Sequence, residues 1–364
     1  MVCCFAGISA AKGVLSVMTQ VTSPRKRLLS GMQPSGNGRL HLGNYEGALK
    51  PWVQLQDEYE MFCFIADWHS LTTLVGSEAS LKDQGRQVAL DYISAGLDPE
   101  KCAIFRQSDV MQHAELAILL GMVTPVSWLE RVPTYKEKRE ALADYEGGGE
   151  TGAAFGLLGY PVLQAADILI YRAHAVPVGK DQAAHLELTR EIARRFNHLY
   201  KTNLFPEPQA VISETTGVLP GLDADSEGKL RKMSKSYGNA IYLSDSPDQV
   251  WERLKGAFTT PTKIRKTDEG IPEGCAVCQL RKLYDPNGYQ AQWDECRSGA
   301  RGCMQSKKET AEIINTVLAP IRERRATMEN DPAEIDRILA KGAEKARIAA
   351  EETMRLVRET MHIV

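Results

Sequence analysis

The sequence predicts an α/β chain in which a doubly wound parallel sheet is followed by an α-helical C-terminal domain. Two patterns carry this expectation: short apolar runs alternate with longer amphipathic segments from Arg27 to about Pro220, and a nearly unbroken 3.6-residue periodicity follows. Glycine, proline and serine turns between the runs mark where each element stops.

In order, RLLSG from Arg27 reads as a strand ending in the Gly, Pro and Ser-rich turn MQPSGNGR, and the segment after HLGN (41–44) has helical character. MFCFIADW (61–68) reads as a buried strand, LKDQGRQVALDYISAG (81–96) as a helix ended by glycine, CAIFRQS (102–108) as a strand and HAELAILLGMV (113–123) as a helix. Strand and helix in strict alternation mean a Rossmann-like sheet, which binds ligands beyond the carboxyl ends of its strands, after Leu29, Asp67 and Gln107. DYEGGGETGAAFG (144–156) reads as a mobile loop. Beyond it, SPDQVWERLKGAF, KKETAEIINTVLAPIRERRATME and PAEIDRILAKGAEKARIAAEETMRLVRETM are amphipathic helices. The expected division is an N-terminal extension 1–23, a catalytic domain 24–225, and a lysine loop with a helical domain over 226–364. No internal repeat or low-complexity tract interrupts it.

The chain has 364 residues, 43% hydrophobic and 25% charged, enough for two domains with their own cores. A net charge of −3 excludes an overall polycation, so any nucleic-acid contact must come from local basic patches. No apolar run of about 18 residues appears, so no membrane span is expected. MVCCFAGISAAKGVLSVM lacks a basic n-region and a sustained apolar stretch, which points to a cytoplasmic protein; Met18 opens a more usual polar start, which makes 1–17 a candidate artefact of start-codon choice.

The densest charge lies in GKLRKMSKSYGN (228–239), where Lys229, Arg231, Lys232 and Lys235 crowd together. Such a run is usually a solvated face. Its partner is HLGN: Gly43 and Asn44 sit near a helix N-terminus, where backbone N–H groups and the dipole favour phosphate, and His41 can donate to phosphate oxygens. Alone, His-x-Gly is a weak signal.

Together, HLGN (41–44) and KMSKS (232–236) resemble the two signatures of class I aminoacyl-tRNA synthetases. GMQPSG, LHLGNY, DWHSLTT, LERVPTYKEK, YPVLQAADILIY, VPVGKDQAAHLELTREIARRFN and KMSKSYGN resemble, in that order, the tryptophanyl members of that class from about Leu28 to the C-terminal TMHIV. The resemblance implies activation of L-tryptophan by ATP and Mg²⁺, transfer to tRNA(Trp), an anticodon-binding role for the helical domain, and a homodimer. By it, Lys232 and Lys235 clamp the phosphates on a closing loop with Met233 and Ser234 between them, and His41, Gly43 and Asn44 hold ATP. Lys138 reaches the phosphates, with Lys136 beside it as the alternative. Gln33 lies near the α-phosphate and the amino acid's polar end, and Gly179, Asp181 and Gln182 meet the ribose and substrate ammonium. Asp167 accepts the indole N–H, a good specificity device because indole nitrogen is donor only, with Tyr160 and His69 lining the same pocket. Two departures from the family pattern stand out: NGR (37–39) lengthens the first turn, and Lys180 stands where an acid is common.

Of the eight cysteines, Cys63 and Cys102 read as core filling, while Cys275, Cys278, Cys296 and Cys303 fall in one short segment. The spacing suits a tetrathiolate for zinc or an iron–sulfur cluster, and a cytoplasmic setting argues against disulfides. Some bacterial tryptophanyl members carry a 4Fe-4S cluster in this domain. Cys275, Cys296 and Cys303 match its first three ligands, Ser306 stands in the fourth place, and Cys278 is expected to substitute; a site holding no metal is the alternative. Lys263, Arg265 and Lys266 nearby read as a face for tRNA phosphates or as solvated surface. Tyrosyl-tRNA synthetase shares both signatures but fits DWHSLTT and YPVLQAADIL less well. A non-catalytic paralogue should have lost His41 or the lysines, and a small-molecule nucleotidyltransferase does not explain KMSKS with a long helical appendage.

Overall fold

The computed structural model describes residues 25–74, 80–133, 135–136, 154–179, 183–211 and 219–364. Five parallel strands, β1 (Arg27–Met32), β2 (Glu60–Ile65), β3 (Cys102–Arg106), β4 (Ala175–Pro177) and β5 (Gln209–Val211), form one sheet in the order β3-β2-β1-β4-β5. The order reverses direction beside β1, so the crevice above the end of β1 is the expected ligand position. β6 (Pro220–Ala224) and β7 (Leu230–Lys232) make a separate antiparallel hairpin.

Helices cover both faces. α1 (Leu42–Asn44) runs through a π-helical turn, Tyr45–Leu49, into α2 (Lys50–Leu55). α3 (Asp67–Leu74), α4 (Leu81–Ala95), α5 (Gln112–Gly121), α6 (Val126–Glu130), α7 (Phe155–Ile170) and α8 (Ala183–Leu199) follow. The C-terminal region is helical as expected: α9 (Pro247–Lys255), α10 (Ala276–Tyr284), α11 (Tyr289–Arg297), α12 (Cys303–Glu329) and α13 (Pro332–Thr360). Local chemistry explains the ends. Ser80 caps α4 through Asp83 N and Gly96 stops it at φ 115°; Ser246 and Gln249 form a capping box on α9.

The strand expected over 61–68 ends at Ile65, because Asp67 opens a helix instead. Its Oδ1 accepts Trp68 N at 3.0 Å and Ser108 N at 3.1 Å, and its Oδ2 accepts the Ser108 hydroxyl, which ties the ends of β2 and β3 together. The strand expected over 102–108 likewise stops at Arg106 and turns at Gln107–Asp109. Of the glycine-rich loop, Phe155 and Gly156 open α7 and residues 144–153 lie outside the described residues.

One core packs Leu28, Leu42, Trp52, Ile65 and Tyr92 against Met233, Ile241, Leu254, Leu280, Ile314 and Leu339, which joins the sheet to the lysine loop and the C-terminal helices. Cys63 and Cys102 are buried, as core filling requires. On the other core, α13 lays Ala343, Ala346, Ala349, Ala350 and Met354 beside Phe62, Phe105 and Tyr171. The approach is closest at Gly342, where an added Cβ would lie 1.9 Å from Ile104 O and 2.6 Å from Ile104 C. Backbone atoms of β3, held in register along β2, cannot step aside. Gly342→Ala is therefore expected to cost about 1–3 kcal/mol net of strain, despite the roughly 1 kcal/mol that alanine gains in a helix interior. A lower denaturation midpoint would show it, and an unchanged or raised midpoint would refute the packing argument.

Candidate active site

A basic cluster forms where β1 gives way to α1. Between them the NGR insertion makes a closed turn: Gly38 N donates to Ser35 O at 3.0 Å, and Arg39 N donates to Asn37 Oδ1 at 3.1 Å. Gly36 and Gly38 have φ of 58° and 78°, and a Cβ on Gly38 would lie 2.4 Å from Gln84 O, so α4 admits only glycine there. The turn presents Ser35 O to Lys235 Nζ at 3.1 Å.

His41 is the N-cap of α1. Its Nδ1 accepts Asn44 N at 3.2 Å while Asn44 Oδ1 accepts His41 N at 3.1 Å, a reciprocal box in which His and Asn replace the usual Ser and Glu. Burial, then the charges of Lys235 and Lys232, push the imidazole down to about 4. The ring is therefore neutral near pH 7, and with Nδ1 accepting, its proton sits on Nε2 as a donor.

The lysine loop leaves the β6–β7 hairpin and returns beside this turn. Asn239 fixes its shape: Oδ1 accepts Ser234 N at 2.7 Å, and Nδ2 donates to Lys232 O at 3.0 Å and Asp223 Oδ1 at 2.5 Å. Gly221 makes room, since a Cβ there would lie 2.1 Å from Asn239 Nδ2. Met233 is buried against Gly43, whose added Cβ would meet Met233 Cβ at 3.5 Å and the His41 ring at 3.0 Å. A buried methionine thus anchors the loop between two lysines. Lys232 is exposed at the end of β7, and Lys235 is half-buried. Burial lowers Lys235 to about 8, with Asp91 opposing the shift and Arg39 adding to it.

The second cluster is built on Asp167 of α7, which is 1% exposed. His69 Nε2 donates to its Oδ2 at 2.7 Å; Gln107 Nε2 and His113 Nδ1 donate to its Oδ1 at 2.8 and 2.6 Å. The Tyr171 hydroxyl meets His113 Nε2 at 2.7 Å, and the Tyr160 hydroxyl meets His185 Nε2 at 2.8 Å. Burial alone would raise the Asp167 carboxyl, but the hydrogen bonds from His113 and His69 outweigh it and hold the group below its ordinary value. A carboxylate offers about four acceptor positions, and three are used. Ser70 joins the two clusters, its hydroxyl donating to Pro34 O at 2.9 Å in the first turn.

The structure thus brings together His41, Gly43, Asn44, Met233, Ser234 and Lys235 in one place, and His69 with Asp167 in another. Asn44 acts first as a cap. Gln33 is exposed just past β1, Gly179 is half-buried after β4, and Lys136 is exposed. Lys138, Lys180, Asp181 and Gln182 lie outside the described residues. Sequence reasoning missed Gln107, His113, Asp91 and Asn239, all buried polar groups.

Cys275, Cys278, Cys296 and Cys303 line one small cavity with Thr259, Lys263, Arg301 and Ser306. Cys278 borders the same cavity as Cys275 and Cys296 and takes Gln292 Nε2 on its sulfur at 3.7 Å, and Cys296 is lowered to about 7, first by Cys278 and further by Lys263. Gly270 is required, since its Cβ would fall 2.6 Å from Cys296 Sγ. Among the described residues no group of three or more His, Cys, Asp or Glu is placed to hold a metal ion. Lys263, read from sequence as a surface charge, is 8% exposed and donates to Lys266 O and Asp268 O, which removes it from the solvent face.

A five-stranded parallel sheet with a histidine-capped helix after its first strand and a lysine loop folded against that cap defines a class I tRNA synthetase. Residues 22–319 match the model of the family described as tRNA synthetases class I (W and Y). A tryptophan–tRNA ligase of Thermotoga maritima is 45% identical over 93% of this chain and 99% of that protein, and one of Aquifex aeolicus is 40% identical over 93% and 100%. The crystal structure of tryptophanyl-tRNA synthetase from Campylobacter jejuni, complexed with ADP and tryptophan, superposes with a TM-score of 0.78 at 35% identity, covering 92% of this chain and 99% of that one. The chain belongs to the tryptophan–tRNA ligase family.

Proposed function

We propose that the two clusters divide the family reaction between them, the basic one holding the phosphates of ATP and the Asp167 network holding the indole. In the first step the tryptophan carboxylate attacks the α-phosphorus, forming tryptophanyl-adenylate as the bond to pyrophosphate breaks. In the second, a ribose hydroxyl of the terminal adenosine of tRNA(Trp) attacks the carbonyl and AMP leaves. The observation that carries this reading is the seating of Lys235 over the first turn, beside a neutral His41.

Charge accumulates on the phosphorus oxygens and on departing pyrophosphate, where Lys232 and Lys235 sit on one loop to receive it. His41 Nε2–H and the backbone at Gly43 add neutral donors, while Asn44, whose N–H is taken by His41 Nδ1, holds the imidazole in place, with Gln33, Met233 and Ser234 beside them. Mg²⁺ entering with ATP supplies further positive charge at the phosphates. Gly179, Asp181 and Gln182 take the ribose and the substrate ammonium, and Lys138 the phosphates. The free acceptor position of Asp167 takes the indole N–H, while Tyr160 and His69 wall the pocket.

Residues 24–225 form the catalytic domain and 226–364 the lysine loop and tRNA anticodon-binding domain in this reading. The protein acts in the cytoplasm, where ATP and tRNA are supplied, and as a symmetric homodimer. Met111 and Met122 at the two ends of α5 and Ile118 within it, 65%, 73% and 62% exposed, give a second copy an apolar face. Four thiols around one cavity with two cationic neighbours suit a soft metal by donor chemistry, although among the described residues they are not gathered into a metal-holding group; a 4Fe-4S cluster is proposed there on that chemistry alone, with zinc or no metal as the alternatives.

Pyrophosphate exchange into ATP tests the reading. It is expected with tryptophan and absent with tyrosine, in protein purified anaerobically and assayed for iron and zinc. Exchange with tyrosine or with neither amino acid would overturn the assignment of the Asp167 network, and metal-free, fully active protein would overturn the cluster.

A further inference from the structure

The first signature and the lysine loop meet along a seam: His41 and Tyr242 form an antiparallel bridge, Leu42 N donates to Ile241 O, and Leu243 N to Leu40 O, both at 2.9 Å. Two fully buried carboxylates pin this seam. Asp91 of α4 accepts Leu40 N at 2.7 Å through Oδ2 and Arg325 of α12 through Oδ1, and Arg325 Nη2 also donates to Gln87 Oε1 at 2.5 Å. Asp245 accepts Arg39 Nη2 at 2.6 Å, Arg253 Nε at 2.6 Å and Tyr242 N at 2.9 Å, while its backbone carbonyl accepts Arg322 Nη1 at 3.0 Å. Arg322 and Arg325 are three residues apart, hence on one face of α12. One helix of the C-terminal region therefore holds both sides of the seam.

Buried ion pairs are poor stabilisers, since removing two ions from water costs several kcal/mol each and apolar packing can do as well. What these pairs provide is position. A carboxylate that fixes Leu40 N also fixes His41, the next residue. Asp91 further acts on Lys235 across the seam, favouring its charged form. The Asp167 network, by contrast, is drawn from α3, the turn after β3, α5 and α7, with no hydrogen bond from α12 among the described residues.

We propose that Asp91 and Asp245, held by Arg325 and Arg322, are positioning residues that set the separation of His41 and Lys235 from helix α12, so that displacement of α12 is felt in the phosphate subsite and not in the indole pocket. This rests on the functional reading above. Wild-type exchange tests that reading, and the ratio of variant to wild type tests the positioning role, so the two fail separately.

The experiment is exchange kinetics with ATP and tryptophan varied in turn, for Asp91→Asn, Arg325→Lys and the double variant Asp91→Asn/Arg325→Gln, with denaturation midpoints alongside. Asp91→Asn should raise the KM for ATP about ten-fold and leave that for tryptophan within about two-fold. Arg325→Lys, which keeps the charge but loses the fork spanning Asp91 and Gln87, should fall between it and wild type. The double variant removes the unpaired buried charge, so its midpoint should recover while its KM for ATP stays high. An equal shift in both KM values, or a KM for ATP that recovers together with the midpoint, would overturn the proposal in favour of a purely structural pair.

Discussion

Lys235→Ala is expected to lower tryptophan-dependent pyrophosphate exchange about 10²–10³-fold, the usual consequence of removing one preorganised donor from a developing anion. The fall should appear in kcat as well as in kcat/KM for ATP, because a clamp of the kind proposed meets most charge in the transition state. Its pH dependence makes the expectation specific. In the free enzyme Lys235 is lowered to about 8, first by burial, so kcat/KM for ATP should decline as pH rises through about 8. Lys235→Arg, whose guanidinium stays charged, should lack that alkaline limb even if it is slower throughout. The same shift has a consequence for stability with the opposite sign. Between about 8 and its ordinary 10.5, the lysine is neutral when folded and protonated when unfolded, so the unfolded chain binds more protons and stability rises with pH across that window. Lys235→Met should flatten this rise and make the protein more stable near pH 7 while abolishing exchange. A variant that loses stability and activity together would mean that Lys235 is a structural lysine.

The sequence carried the periodic part of this architecture. Helix α4 was legible from an amphipathic run between Ser80 and Gly96, and α9, α12 and α13 from 3.6-residue periodicity, because those signals are local. The β6–β7 hairpin was not legible. Its strands are short and polar, and what closes them is Asp225, whose Oδ1 accepts Glu227 N and Lys229 N at 3.0 and 2.9 Å around Gly228 at φ 79°. Within the site, His41 and the lysines were found because two weak motifs reinforce one another. Gln107 and His113 were not, since a single polar residue beside apolar runs says nothing about its partner until the end of β3 and helix α5 are brought against α7. The extent of α13 was readable, but not its destination. Only Gly342 facing Ile104 O, in a run of Ala343, Ala346 and Ala350, shows that a small-residue face was meant for a strand.

Replacing Asp167 by asparagine nearly preserves shape and should still be costly. The carboxylate receives donors on both oxygens, from Gln107 and His113 on one and His69 on the other. An asparagine in either orientation sets its own N–H₂ against at least one of these donors, and an unsatisfied buried donor costs about 1–3 kcal/mol. The acid limb of stability should change with it. Because the folded carboxyl is held below its ordinary value, Asp167 contributes stability that is present above about pH 4 and lost as pH falls through the folded value, and Asp167→Asn should lack that acid-dependent loss. A fold defect alone would slow every substrate alike, so the decisive comparison is tryptophan against an analogue with sulfur in place of the ring N–H. The wild-type protein should prefer tryptophan strongly, because a buried acceptor left without its donor is expensive. Asp167→Asn should reduce kcat/KM for tryptophan about 10²–10³-fold and leave the analogue much less affected, so that the preference collapses toward unity. If instead both substrates fall by the same factor, Asp167 organises His69 and His113 without reading the indole, and the recognising group must be sought among the side chains that Asp167 holds in place.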